Sequence, residues 1–289
     1  MNLGNGMLGY KELDSYKSFT QSPFMSGKHT NYFFIYDELL SQLRNQSITF
    51  VEIGVLNGGS LYMWRDYFGL DARIIGIDSN PAALKFSNDF EIFIGDQADS
   101  NFWSTLFEKI GKIDVVLDDG GHKNEQQIQT VLSCLPFIRD NGMIITEDMH
   151  TSFMGDFGNP SRYSFFEFAV HSAKNLTFRA ESLKKNHPNT QKISSVTFFE
   201  SVVAFKINSA ASKPGESVNN NKPSNNFVDS RNANLPRFGR IVRLSRYRLA
   251  KNLHLIRRFT FFRRLARSLF FTYYRFESLK SGIRLRKKW

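Results

Sequence analysis

Cysteine is almost missing from this chain. Cys134 is the single one among 289 residues, which excludes a disulfide framework and any zinc site built on paired thiolates. No uninterrupted apolar run approaches the roughly 18 residues needed to span a bilayer. Met1 to Tyr10 lacks a basic segment followed by an apolar one, so no secretory signal is expected. Two phosphate-binding patterns are absent as well, the Gly-x-Gly-x-x-Gly of dinucleotide folds and the Walker Gly-Lys-Ser/Thr. A cytoplasmic protein with a globular core is the expectation, and a hydrophobic share of 41% is compatible with such a core.

The net charge of +11 conceals two unlike parts. From Pro236 to Trp289 there are 17 Lys and Arg against one acid, Glu277, about +16. That leaves 21 basic and 26 acidic residues, about −5, for everything before it. Any inference about polyanionic partners therefore belongs to the tail alone.

The apolar patterning of the body describes strands alternating with helices. Residues 1–26 are polar and Gly-rich and read as a lid or irregular arm. Thr30 to Leu43 places Phe33, Tyr36, Leu39, Leu40 and Leu43 at helical spacing, as a helix covering one edge of a sheet. Ile48 to Ile53 is a strand, Gly54 to Ser60 a Gly-rich turn, and Leu61 to Tyr67 a helix. Glycines in such a turn let the backbone approach a ligand and leave helix N–H groups pointing at it. A second strand, Arg73 to Asp78, ends in an acid suited to a ribose diol. A third, Glu91 to Ile94, runs into Gly95, Asp96 and Gln97, where a side-chain acceptor could read a purine amine. Singly each sign is weak, and the Gly-rich turn reads equally as a tight connection. Together they describe a nucleoside held by three successive strand ends without a pyrophosphate cradle, the shape of S-adenosylmethionine.

Two further strands carry the acids. Ile113 to Asp118 runs into Asp119-Gly120-Gly121-His122, and Gly142 to Thr146 runs into Glu147-Asp148-Met149-His150. Continuous apolar runs bounded by Gly and Asp are the pattern of parallel strands covered on both faces. If these two are neighbours, Asp119, Glu147 and Asp148 converge beyond their carboxyl ends, with His122 close by. Three carboxylates in one crevice repel unless something positive lies between them, and a hard cation such as Mg²⁺ suits them. Acids after strands also serve as helix caps and turn formers, and the residues alone leave both readings open. Trp64 and Trp103 fall in helical patterns as core residues. His29, His171, His187 and His254 read as surface or packing residues, and His150 as a neighbour of the site.

These motifs resemble class I S-adenosylmethionine methyltransferases. The residues that carry the likeness are Val51-Glu52-Ile53-Gly54 with Gly58-Gly59-Ser60, Gly76-Ile77-Asp78, Leu117 to His122, and Thr146 to Ser152. More narrowly, the paired Asp-Gly-x-His and Glu-Asp-x-His-Thr-Ser motifs resemble the metal-dependent sugar O-methyltransferases of the mycinamicin and macrocin type. The cephalosporin hydroxylase group shares much of this pattern. The resemblance covers residues 25–208. It implies a Rossmann-like, doubly wound α/β sheet of seven strands with an antiparallel edge strand. It implies Asp119, Glu147 and Asp148 as Mg²⁺ ligands and His122 as general base. Glu52, Gly54, Gly58, Ser60, Asp78, Asp96 and Gln97 would belong to the S-adenosylmethionine pocket. The expected activity is O-methylation of a sugar hydroxyl on a glycoside or surface glycan. A hydroxylase-like relative with another small substrate, or a non-catalytic nucleoside-binding scaffold, are the alternatives. Family members carry a separate N-terminal oligomerisation region where this sequence has a short arm, so homo-oligomerisation is not carried across.

The domain organisation that follows has four parts: an arm and covering helix (1–47), the methyltransferase domain (48–208), a Ser-, Asn- and Pro-rich flexible linker (209–235), and a basic helical tail (236–289). On a helix, Phe262, Leu265, Ala266, Leu269, Tyr273 and Phe276 share one face and Arg263, Arg264, Arg267 and Arg275 the other. That amphipathicity points first to an anionic membrane surface on the cytoplasmic side. Docking on a partner glycosyltransferase ranks second and nucleic acid last.

Overall fold

The computed structural model describes residues 9–157, 163–177, 192–213, 215–216, 218–223, 272 and 279. The chain divides into two units, Met1–Glu216 and Ser217–Trp289, and the architecture below is that of the first. Of the tail, only Thr272 and Leu279 are among the described residues, both helical; the rest of 236–289 lies outside them. Among the described residues no helix is long and apolar enough to cross a membrane.

Seven strands form one sheet: β1 (Thr49–Ile53), β2 (Arg73–Asp78), β3 (Glu91–Ile94), β4 (Ile113–Asp118), β5 (Ile138–Thr146), β6 (Ile193–Phe198) and β7 (Val203–Ile207), in the order β3-β2-β1-β4-β5-β7-β6. The expected Rossmann-like sheet is present. β1 to β5 run parallel, and β7 is the reversed strand, paired antiparallel with β5 on one side and with edge strand β6 on the other. β1 is buried along its whole length, Thr49 and Glu52 included. Among the described residues six α-helices flank the sheet or pack on those that do: α1 (Asp14–Gln21), α2 (Thr30–Leu40), α3 (Gly59–Phe68), α4 (Ser100–Ile110), α5 (Asn124–Cys134) and α6 (Phe165–Thr177). Residues of α2 and α3 pack with Phe50, Val115, Leu117 and Ile145 on one face, while α4, α5 and α6 pack with Val51, Ile53, Val116 and Ile144 on the other. The alternation of consecutive strand residues between these two cores is the period of two expected of a strand buried on both faces. Trp64 and Trp103 are core residues, each at most 1% exposed.

The strand register sets up the site. Ile53 pairs with Asp118 across β1 and β4, and Asp118 pairs with Thr146 across β4 and β5. The residues that follow, Gly54, Asp119 and Glu147, therefore leave the sheet side by side. The chain winds outward from β1 to β3, then returns to start β4 on the other side of β1. The crevice at that reversal is where α/β sheets bind ligands.

The N-terminal arm departs from expectation. Residues 14–21 form helix α1, and Tyr10, Leu13, Tyr16 and Phe19 pack against the core. Its first turn is held by a residue of α2: Asp37 accepts from the backbone N–H of Asp14 at 2.9 Å and of Ser15 at 3.0 Å. A polar octapeptide with few apolar residues carries a weak helical pattern, and its cap lies over twenty residues away. At the other end, Ser209 donates from its backbone and its hydroxyl to Asp140 at 3.1 and 2.8 Å, so the body continues past β7.

Glu52 ties α3 to β1. It is fully buried and accepts from Ser60 Oγ at 2.8 Å and Trp64 Nε1 at 3.1 Å. Burial pushes its carboxyl from 4.5 up to about 7. The folded state thus keeps a proton that the unfolded chain releases, and stability falls as pH rises from about 4.5 to about 7. E52Q retains groups for both partners without that proton. In the metal-free protein, denaturant titrations at pH 5 and pH 8 should show the variant gaining on wild type by on the order of 1–3 kcal/mol at the higher pH. Gly54 has φ +95°, and a Cβ there would fall 2.1 Å from the Asp119 carbonyl oxygen. G54A should cost about 3 kcal/mol or more in urea unfolding, because neither backbone can yield without breaking the β1–β4 pairing.

Candidate active site

A cavity of about 470 Å³ opens in the crevice, within the range of small-molecule sites. Its floor and walls include Gly54, Ser60, Asp78, Asp96 and Gln97, and at one end Asp119 and His122. Two residues expected in this pocket are elsewhere. Glu52 lies behind the wall, bonded to α3 as above, and Gly58 (φ +76°) turns toward the Phe86 ring. Asp78 shapes the turn: Oδ2 accepts from the N–H of Val55 at 2.9 Å and of Leu56 at 3.0 Å, and Oδ1 from Asn80 N–H at 2.8 Å. Gln97 is committed to the protein too. Its amide donates to the buried Asp118 carboxylate at 3.0 and 3.1 Å, and its carbonyl accepts from Gly121 N–H at 2.9 Å. Asp96 Oδ1 accepts from Ala98 N–H at 2.8 Å. Burial raises the Asp118 carboxyl, and the bond from Gln97 draws it back down.

Beyond the cavity end, the acids converge as the register requires. Ligand atoms of Asp119, His122 and Asp148 lie within 4.8 Å of one another. His122 Nε2 is 3.8 Å from Asp119 Oδ1 and 3.5 Å from Asp148 Oδ2. The buried Nδ1 of His122 has no hydrogen-bond partner among the described residues. His122 and Asp148 both have φ +54°, a conformation that non-glycine residues adopt rarely and that Asp and His tolerate better than most. Thr151 spans the two loops that hold them, donating to the carbonyl of His122 at 3.1 Å and of Asp148 at 2.7 Å. His150, exposed, bonds the Ser201 hydroxyl in the β6–β7 turn, whose backbone carbonyl accepts from Met149 N–H at 2.9 Å.

Glu147 stands apart from that trio. Its side chain is 1% exposed, one oxygen accepting from the Tyr36 hydroxyl and the other from Lys28 Nζ at 2.9 Å. The same ammonium is 2.6 Å from Asp119 Oδ2. The positive charge between carboxylates, expected of a metal, is here supplied in part by a lysine. Burial alone would lower the Lys28 pKa, but Asp119 and Glu147 outweigh it and hold the group well above its ordinary value. Burial pushes the Glu147 carboxyl upward while Lys28 pulls it down. With the ammonium this firmly charged, the ionised carboxylate is its natural partner. Tyr32 completes the set by donating to Asp148, and burial raises the pKa of both tyrosines.

The sequence reading did not assign Lys28, Tyr32 or Tyr36 to the site. Tyr36 counts there as part of the apolar face of a covering helix and Tyr32 is not placed, yet a signal is available: two hydroxyls at i and i+4 on a buried face each need a partner.

The two carboxylates of Asp119 and Asp148 fit a hard divalent cation with the imidazole standing beside them, and the cavity fits a nucleoside-sized donor. Residues 51–149 match the family described as a methyltransferase domain. The demethylmacrocin O-methyltransferase of Streptomyces fradiae is 31% identical over 135 residues, 44% of this chain and 33% of that protein. The mycinamicin VI 2''-O-methyltransferase of Micromonospora griseorubida is 32% identical over 130 residues, 43% of this chain and 32% of that protein. The 8-demethyl-8-alpha-L-rhamnosyl tetracenomycin-C 2'-O-methyltransferase of Streptomyces olivaceus is 28% identical over 187 residues, 60% of this chain and 48% of that protein. The alignments thus span a third to a half of the length of these relatives. Among solved structures, the MycE methyltransferase of the mycinamycin pathway, in complex with Mg and SAH, superimposes with a TM-score of 0.59 at 23% identity, over 71% of this chain and 55% of that one. Residues 51–149 thus match a methyltransferase domain, and the sheet that contains them shares its fold with the MycE structure.

Proposed function

We propose that the protein is an S-adenosylmethionine- and Mg²⁺-dependent O-methyltransferase acting on a sugar hydroxyl. The observation that carries this reading is the convergence of Asp119, His122 and Asp148, the first two of which also line the donor-sized cavity. The named relatives, all O-methyltransferases, and the MycE complex with Mg, SAH and mycinamycin VI support the same class of donor, metal and acceptor. When bound, the cation lowers the pKa of an acceptor hydroxyl, and S-adenosylmethionine supplies an electrophilic methyl group.

The chain's own residues do the rest. Asp119 and Asp148 present carboxylate oxygens for the cation beside His122, while Glu147, expected as a third ligand, engages Tyr36 and Lys28 and steadies Asp119 through the shared ammonium. Each carboxylate oxygen has a second lone pair, so a bond to the protein does not exhaust it. His122 Nε2 takes the proton of the acceptor hydroxyl. His122 Nε2 lies 3.8 Å from Asp119 Oδ1 and 3.5 Å from Asp148 Oδ2, so the base stands beside the carboxylates that would hold the cation. Gly54, Ser60, Asp78, Asp96 and Gln97 shape the donor's seat, while Glu52 and Gly58 hold that seat from behind. Orientation of the two reactants by these walls supplies much of the rate. A surface glycan as acceptor, and attachment of the basic tail to an anionic membrane, belong to the same proposal on the strength of the tail's charge of about +16.

Methyl transfer to a panel of glycosides, followed by mass spectrometry as a 14-Da gain, tests the reading. H122A should lose about 10²–10⁴-fold in kcat with donor affinity retained. D119A should lose activity together with its response to Mg²⁺. A D119A protein with full turnover in excess chelator would remove the metal from the scheme.

A further inference from the structure

Residues 22–29 join α1 to α2 as a strap across the mouth of the cavity. The strap is fixed at both ends. At its start, Ser22 Oγ donates to the Gly59 carbonyl at 2.7 Å, and the Phe24 ring packs 5.6 Å from Phe86 and 5.3 Å from Tyr62. The carbonyls of Phe24 and Met25 lie so close over Gly59 that a Cβ there would fall 2.5 and 2.6 Å from them. At its end, Lys28 runs inward to Asp119 and Glu147, its side chain 2% exposed. Between these ends, Met25, Ser26 and Gly27 form the outer wall of the cavity.

Lys28 is not itself on that wall. It touches the acids from the side opposite His122: Asp119 offers Oδ2 to the lysine and Oδ1 to the imidazole. Among the described residues, Lys28 is the sole lysine or arginine paired with either acid. Lifting the strap would strand two carboxylates, one of them wholly buried, without their counter-charge, and separating a buried ion pair is strongly unfavourable. Closure of the wall and charge balance among the acids are therefore one event.

We propose that Lys28 is a positioning residue that locks the wall of the donor cavity by bridging Asp119 and Glu147, so that donor binding depends on acids at the acceptor end. This rests on reading the cavity as the donor pocket. Two sites linked through one element are coupled by the free energy of ordering it.

The test uses the full chain, titrated calorimetrically with S-adenosylhomocysteine, together with amide hydrogen exchange. K28M should bind S-adenosylhomocysteine about tenfold more weakly, although the substituted side chain never touches the cavity. Exchange should quicken at Phe24 to Gly27 and stay unchanged in β1 and β4. K28R, which keeps the charge, should recover most of the affinity. Unchanged affinity in K28M, or faster exchange spread evenly over the sheet, would overturn the proposal. Wild type that binds no S-adenosylhomocysteine would count against the functional reading instead, and the exchange comparison then decides the anchor by itself. Should K28M not fold, competitive acetylation of wild type takes its place. Lys28 should react far more slowly than Lys17, whose side chain is 59% exposed, and equal labelling refutes the anchor.

Discussion

Three carboxylates delivered to one place by a parallel sheet are an electrostatic problem before they are a catalytic device. The register of β1, β4 and β5 leaves no freedom in the matter, since Ile53, Asp118 and Thr146 lie level and their successors emerge together. Uncompensated charge at that depth would cost several kcal/mol per ion. The protein meets this with an ammonium from outside the sheet and with hydroxyls from α2. Lys28 bridges two of the acids, and Tyr36 and Tyr32 each donate to one. Helix α2, which would otherwise be packing material, is thereby bound to the end of β5, and Lys28 just before it to the ends of β4 and β5.

The same solution divides the acids by environment. Glu147 is closed off from solvent, whereas Asp119 and Asp148 are 24% and 22% exposed and face His122. One carboxylate thus serves mainly as a partner within the protein, and two present open edges to the crevice. Their accessibility, rather than their identity as acids, marks the side of the site that is open to a ligand.

Much of this was legible before any coordinates. The buried strands announce themselves as apolar runs, because a strand covered on both faces has no polar side to show. The acids at their ends follow from the general placement of ligands beyond carboxyl termini of strands. Three features were hidden, each for a definite reason. Helix α1 has too few apolar residues to signal itself and is capped by Asp37, from another helix. Lys28 meets partners 91 and 119 residues further along the chain, and no local spacing encodes such a meeting. Tyr32 and Tyr36 count as apolar in any periodicity, so their hydroxyls vanish from the reading at the point where they matter. Glu52 teaches the converse. Its position on β1 is correct for the motif, but alternation along the strand turns it with Phe50 toward α3, behind the wall rather than onto it.

Thr151 carries a consequence for how such a site can diversify. Its single hydroxyl staples the loop bearing the imidazole to the loop bearing Asp148, so the two travel as one block. Immediately downstream, Phe153 and Met154 are 58% and 43% exposed, outside that staple. Substitution of these exposed side chains would leave the Thr151 bonds, and with them the relative placement of His122 and Asp148, undisturbed. A constrained residue and freely variable ones thus stand side by side in this segment.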